Sequence, residues 1–387
     1  MPFYHKLGNI PRKRHTQFYK PDGKSLYREE LYSTLGFSGV YSNKYHINMP
    51  NSVYDVKELP LGEKVDWPEA PLNFYHCFSN RKTKDGDFIT SRMKYMENRH
   101  CIISTATPNK ETGDFFKNAY ANEYIFVHYG SPVFLSEYGK IQLVPGDQLI
   151  IPKGIPYQFK FGDLSRNKLL IVESDTPFDI PKHFRNAYGQ LEEAAPYQER
   201  DFKIPEYMTP IDQSGEFRLV VKGGERFFEY TLQHHPFDVV GWDGFHYPYA
   251  FNIRDYNPKV GRLHLPPPTH LAFNTGHFVL CNFCPRPFDF DPMAIPVPYW
   301  HSNCDSDEVL YYVEGDFMSR AGIEEGSFTL HPSGMPHGPQ PGKTEASLGA
   351  TETSEYAVMV DTFEPLRPTT YVRETIDPNY SRSWLAK

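Results

Sequence analysis

Two histidines and a carboxylate, His301, Glu308 and His337, fall on short alternating segments broken by Gly315, Gly326, Pro332 and Gly334. Two imidazoles and one carboxylate suit a facial triad, the donor set that holds a non-heme Fe(II) on one side and leaves its other positions open. A metal held this way can take a substrate and dioxygen together, which is oxygenase chemistry. Neighbours compete for the carboxylate role. Asp305 and Asp307 belong to the turn text Cys304-Asp305-Ser306-Asp307, where side chains are expected to face water. Only Glu308 is followed after six residues by a glycine, Gly315, a step repeated at Glu123 and Gly130. His331 shares the last hairpin with His337 and reads as a support that orients a ligand.

Such donors need strands and turns to carry them. His301 ends the apolar run Ala294–Trp300, Glu308 opens EVLYYVEG, and a hairpin between them would make the two cross-strand neighbours. His337 is expected from a second hairpin, turned at Pro332 and Gly334. Upstream, CIISTATP, EYIFVHYG, SPVFLSEYGKIQL, DQLIIPKG, YQFKFG and KLLIVE are short runs separated by glycine and proline. Evenly spaced short strands of this kind predict a sandwich or jelly roll rather than a parallel sheet.

The chain also repeats itself. Gly326, Pro332, Gly334 and His337 match Gly146, Pro152, Gly154 and Tyr157 in spacing. Where the second copy has His301 and His337, the first has Phe116 and Tyr157, so only the second can hold a metal in this way. Phe116 and Tyr157 are expected to face an empty, apolar interior. The predicted fold is all-β with little helix, a duplicated jelly roll behind an N-terminal arm. The arm is read as residues 1–100, a metal-free domain as 101–190, a linker as 191–216 and the metal-binding domain as 217–387.

Composition narrows the function classes. A net charge of -8 and a pI near 6.1 argue against a nucleic-acid-binding surface. No run approaches the roughly 18 apolar residues of a membrane span, and the N-terminal text lacks the apolar stretch of a secretory signal. The five cysteines, an odd number, show no disulfide framework, and Cys281-Asn-Phe-Cys284 is a lone pair on a strand-like run. These features read as a soluble cytoplasmic protein, with sheet edges that favour a homo-oligomer.

The site text resembles the cupin superfamily, with Asn303 where the commonest cupin has a second histidine. More specifically, Pro298-Tyr299-Trp300-His301-Ser-Asn303-Cys304, Leu330-His331-Pro-Ser-Gly-Met-Pro336-His337-Gly338-Pro339 and the stretch Val240–Asn252 resemble the homogentisate 1,2-dioxygenase family. The resemblance implies Fe(II) held by His301, Glu308 and His337, and His264 as the active-site base. It implies a substrate lying beside Tyr299, with His331 and His337 at its binding site. The implied reaction cleaves the ring of homogentisate with dioxygen to give maleylacetoacetate, with no nicotinamide or flavin. Phe317 stands where the family carries a tyrosine, so a related acid such as gentisate stays open. A metal-dependent isomerase or hydrolase and a non-enzymatic ligand-binding protein are the other readings; strand capping is the alternative role for His264.

Overall fold

The structure, a computed structural model, describes residues 3–35, 37–262, 264, 265 and 267–385. Strands dominate, and among the described residues only Lys343–Ser347 and Thr370–Thr375 are α-helical. Sheets of seven, eight, six, four and two strands carry the fold. Nearly all the alternating runs named above form strands, among them Asn122–Tyr129, Asp147–Ile151, Lys168–Ser174 and Asp307–Glu314.

The seven- and eight-stranded sheets make the first barrel. Phe116, Phe134, Tyr157 and Phe159 from one sheet share a buried core with Ile125, Val127, Leu149 and Ile171 from the other. Central strands of the eight-stranded sheet, such as Lys168–Ser174, are buried on both faces. The cause is the second barrel, built on the six-stranded sheet, which packs on the outside: Tyr311 lies 6.3 Å from Phe126, Phe328 lies 5.4 Å from Tyr95, and Phe278 lies 5.8 Å from Phe178. A strand covered on both faces loses alternation and reads as a continuous apolar run.

The sheets do not divide at residues 100, 190 or 217. Residues 1–100, expected as an arm, supply strands to four sheets; Tyr75–Cys77 pairs with Phe328–His331 in the second barrel. The segment 191–216 contains the short strand Phe202–Lys203 and the start of Ser214–Gly223. Ser214–Gly223, Arg226–His234 and Tyr249–Asn252 then join the sheets of the first barrel. The physical reason is that strand partners are chosen by burial of whole faces, not by proximity along the chain.

Duplication is visible in the turns. Gly130 and Gly315 both have left-handed backbone, at φ +92° and +104°. A Cβ would meet the Asn167 side chain at the first and the Ser354 carbonyl at the second. Only glycine fits both tests, which is why the six-residue step ends on it.

Candidate metal centre

Glu308 lies near the start of Asp307–Glu314, directly across from His331 on one neighbour and from Asp361 on the other. His301 and His337 face each other across an isolated antiparallel bridge, with both N–H···O bonds at 2.9 Å. The hairpin expected between His301 and Glu308 is not formed. Residues 292–300 are irregular, because Pro292, Pro296 and Pro298 remove backbone donors that a ladder needs. His301 therefore reaches the site through His337 rather than as a cross-strand neighbour of Glu308.

Both imidazoles are held in the same way. The Nδ1 of His301 lies 3.2 Å from the Tyr299 carbonyl, and that of His337 lies 3.0 Å from the Met335 carbonyl. Donation of Nδ1–H to these carbonyls leaves each Nε2 with its lone pair free. Each Nε2 then sits 3.5 Å from one oxygen of Glu308, His301 from Oε2 and His337 from Oε1. The Nε2 of His337 is buried and has no hydrogen-bond partner. One donor atom from each of the three residues lies within 4.8 Å of the others.

Behind them, His331 is fully buried, with Nδ1 2.8 Å from Glu308 and Nε2 2.8 Å from the Tyr380 hydroxyl. Burial pushes His331 down to about 4, against the opposing pull of Glu308, so it is neutral near pH 7. A neutral ring there donates from Nδ1 to Glu308 and accepts from Tyr380. Both nitrogens are used, and His331 does not line the adjoining cavity; its geometry is that of a support, not of a substrate contact. Burial alone raises the Glu308 carboxyl, but the imidazoles of His301, His331 and His337 outweigh it and hold the group well below the usual carboxylate range.

Of the competing carboxylates, Asp305 is exposed, as expected of a turn. Asp307 is not; it is buried and accepts from the backbone N–H groups of Ser333 at 2.8 Å and Leu366 at 2.7 Å. The bond to Ser333 ties the turn carrying Glu308 to the His337 hairpin.

The cluster opens on a cavity of about 290 Å³. His264, Tyr299, His301 and Glu308 line it, as do Phe317, Arg286 and Lys259. His264 stands edge-on to Tyr299 at 5.0 Å, with Nδ1 3.6 Å from Asp289. Leu263, just before it, lies outside the described residues. His337 is buried and does not line the cavity.

Sequence patterning did not single out Asp361, which lines the cavity with a buried Oδ1 that has no partner. Burial and the neighbouring Glu308 charge push its carboxyl well up. A signal exists in Tyr356–Thr362, where Ala357, Met359 and Asp361 alternate onto the cavity face.

The first barrel repeats this pair with different chemistry. Glu123 lies across from Glu173, as Glu308 lies across from Asp361, and Phe116 pairs with Tyr157 as His301 pairs with His337. The interior at residues 116 and 157 is not the apolar space expected. Arg92 donates to Glu123 at 2.8 Å and to the Tyr157 hydroxyl at 3.1 Å, with its guanidinium 4.6 Å from the Phe116 ring centre. Lys222 is bonded to Glu173. Buried carboxylates require a paired charge, and the first barrel supplies it with side chains. In the second barrel the equivalent pair faces imidazole lone pairs, and a bound cation fits that deficit.

Two jelly-roll barrels, one carrying a His–Glu–His cluster, define a two-barrel cupin protein. A profile described as "Homogentisate 1,2-dioxygenase N-terminal" matches residues 89–253. A "Putative dioxygenase SSO1533" of Saccharolobus solfataricus is 40% identical over 387 residues, 99% of each chain. Homogentisate 1,2-dioxygenase of Bradyrhizobium diazoefficiens is 26% identical, over 70% of this chain and 62% of that protein; the Rhodopseudomonas palustris enzyme is 27% identical, over 66% and 59%. The chain thus matches about three-fifths of the length of those two enzymes. Among solved structures, a cupin 2 conserved barrel domain protein from Leptotrichia buccalis aligns at a TM-score of 0.34 and 12% identity, covering 74% of this chain and 94% of that one. The chain belongs to the homogentisate 1,2-dioxygenase family of the cupin superfamily. Among the described residues no helix is long and apolar enough to cross a membrane.

Proposed function

We propose that this protein is an Fe(II)-dependent ring-cleaving dioxygenase, acting on homogentisate and dioxygen to give maleylacetoacetate, with both oxygen atoms entering the product. His301, Glu308 and His337 would hold the metal, and the first barrel would serve as metal-free scaffold. The observation that carries the reading is the orphaned, buried Nε2 of His337, set 3.5 Å from Glu308 with its other nitrogen already committed. A buried polar atom without a partner costs roughly 1–3 kcal/mol, and a cation shared with Glu308 and His301 removes that cost. Bound there, Fe(II) supplies a redox centre through which electrons of the substrate reach dioxygen.

The remaining tasks fall to the chain. Arg286 and Lys259 give the cavity positive charge for the acid group of the substrate, and the edge of Tyr299 flanks its ring. His264 takes the proton of a ring hydroxyl as substrate binds, with Asp289 facing its other side. His331 and Tyr380 keep Glu308 from rotating, so its oxygens stay aimed at both imidazoles. Phe317 and Met359 keep bulk water from the reacting ring.

A second reading, cleavage of a related dihydroxylated acid such as gentisate, is favoured by Phe317, which gives the wall a ring face where the family carries a hydroxyl. Oxygen uptake by iron-loaded protein, measured with homogentisate and with gentisate, separates the two. Uptake with homogentisate supports the first reading, and uptake with gentisate alone replaces it.

A further inference from the structure

Where the two barrels meet, four turns from two sheets bring together a second set of metal-type donors. His100 sits between Met93–Glu97 and Cys101–Ala106, and Asp175 follows Lys168–Ser174, all in the eight-stranded sheet. His277 sits between Leu271–Asn274 and Phe278–Phe283, and Glu364 follows Tyr356–Thr362, in the six-stranded sheet. The two imidazoles stack at 3.5 Å with 9° between their planes. His100 Nδ1 lies 2.6 Å from Asp175, and its Nε2 lies 3.3 Å from Glu364. One donor atom from each of His100, Asp175 and His277 falls within 4.8 Å of the others.

Three features separate this cluster from a chance meeting of surface groups. The first is its donor set. Two imidazoles with one carboxylate select a first-row transition ion, whereas Mg²⁺ or Ca²⁺ would call for oxygen donors throughout. The second is the setting of His100, which has a carboxylate at each ring nitrogen and an imidazole on its face. A ligating histidine characteristically gives its other N–H to a carboxylate, which fixes the tautomer and raises the basicity of the ligating nitrogen. Glu364 stands in that place. Asp175 Oδ1, moreover, is buried without a partner and has acceptor capacity to spare.

The third feature is rigidity. Hydrogen bonds run between the very turns that carry the donors: Gly276 N–H to Thr176 Oγ1 at 3.1 Å, Asn98 Nδ2 to the Glu364 carbonyl at 2.8 Å, and Phe363 N–H to the His277 carbonyl at 3.0 Å. Asp179 and Asn274 exchange a backbone pair at 2.8 and 2.9 Å. The turns that carry the donors are therefore fixed before any ion arrives, and only side-chain torsions remain to adjust, which lowers the ordering cost of binding.

We propose that His100, Asp175 and His277 form a second, solvent-accessible site for a divalent transition ion, with Zn²⁺ the best fit, that clamps the first barrel to the second. Glu364 is a positioning residue that orients His100. Parallel rings cannot both aim a lone pair at one ion, so binding turns His277 out of the stack about its side-chain torsions. Its half-buried position leaves room for that turn. The ion contributes by binding the native arrangement only, since unfolding separates donors drawn from both barrels.

The test is a titration of the full chain with Zn²⁺ alone, followed by calorimetry and thermal unfolding, in the His337→Ala background and again with His277→Gln added. The proposal expects His277→Gln to remove one equivalent of tightly bound Zn²⁺ and to abolish a rise of a few degrees in Tm on adding zinc. Co²⁺ in place of Zn²⁺ should give a visible-region absorption that His100→Asn and His277→Gln each remove. Both substitutions are at partly exposed turns, so folding is not at stake. The difference between the two backgrounds reads this site alone, whatever His337→Ala does at the catalytic cluster. Equal zinc stoichiometry with and without His277, or a Tm that zinc does not move in the His337→Ala protein, overturns the clamp.

Discussion

Arg92 donates to Glu123 at 2.8 Å inside the first barrel, filling with a side chain the place that a metal would take in the second barrel between Glu308, His301 and His337. Equivalent strands carry paired carboxylates in both barrels; what differs is the group that neutralises them. Arg92→Ala strands Glu123 beside Glu173, with Lys222 as the remaining cation. It should cost on the order of 3–5 kcal/mol in urea unfolding, the scale of breaking a buried pair, while iron content stays the same. Wild-type stability in that variant would mean that Arg92 does not do the neutralising.

His337→Ala should abolish iron retention, and Tyr157→Phe should leave it untouched, because equivalent positions carry a ligand in one barrel and a hydroxyl bonded to Arg92 and Glu123 in the other. Metal analysis after gel filtration reads this directly. Equal loss from both would show that the two positions are not equivalent.

The support behind Glu308 gives a graded test. His331→Leu removes a 2.8 Å bond to Glu308 and the link to Tyr380. Iron affinity should fall about 10–100-fold, the usual effect of losing a partner that orients a ligand. Tyr380→Phe should fall less, since His331 still holds Glu308. The reverse order would place Tyr380, not His331, in control.

Much of this site is legible in the sequence. Spacing alone pairs Glu308 with Gly315 and Glu123 with Gly130, and both glycines need left-handed backbone. Strands with clean alternation or bounded apolar runs are readable because each shows its burial along its own text. Two strands of residues 1–100 are not, since Tyr75–Cys77 and Val53–Leu59 hold their place by pairing with segments more than 150 residues away. Arg92 is illegible for the same reason: nothing local marks an arginine that serves a glutamate on another strand. The proline-rich approach to His301 misleads in the other direction, because an apolar run reads as a strand although three prolines deny it a ladder.

Acid should weaken the fold in a defined window. Burial is the main cause that pushes His128, His246 and His270 down to about 3 and His331 to about 4. An unfolded histidine titrates near 6.5, so the unfolded chain binds more protons below that pH. Stability from these groups is complete above about 6.5 and is lost as pH falls through the folded values, by at most about 5 kcal/mol for each of the first three and about 3 kcal/mol for His331. His46, raised to about 9 by its bonds to Asp238 and Glu30 against the effect of burial, works in the opposite sense and loses its contribution as pH rises through that value. Unfolding free energies measured from pH 7 to 4 should drop less steeply in His246→Gln; an unchanged slope would argue that His246 is protonated in the fold.

His264 separates chemistry from binding. His264→Ala should keep iron and substrate affinity while lowering turnover by about 10²–10⁴, the scale of positioned proton transfer. Loss of iron would make it a structural support, and full activity would make it a strand-end residue.

The dioxygenase assignment is tested most directly by oxygen consumption of iron-reconstituted protein offered homogentisate, with His337→Ala alongside. One dioxygen consumed per ring cleaved by the parent protein, and none by the variant, is the predicted result. Iron bound in full by the parent protein, with no oxygen uptake on homogentisate, gentisate or any other dihydroxylated aromatic acid, would contradict it.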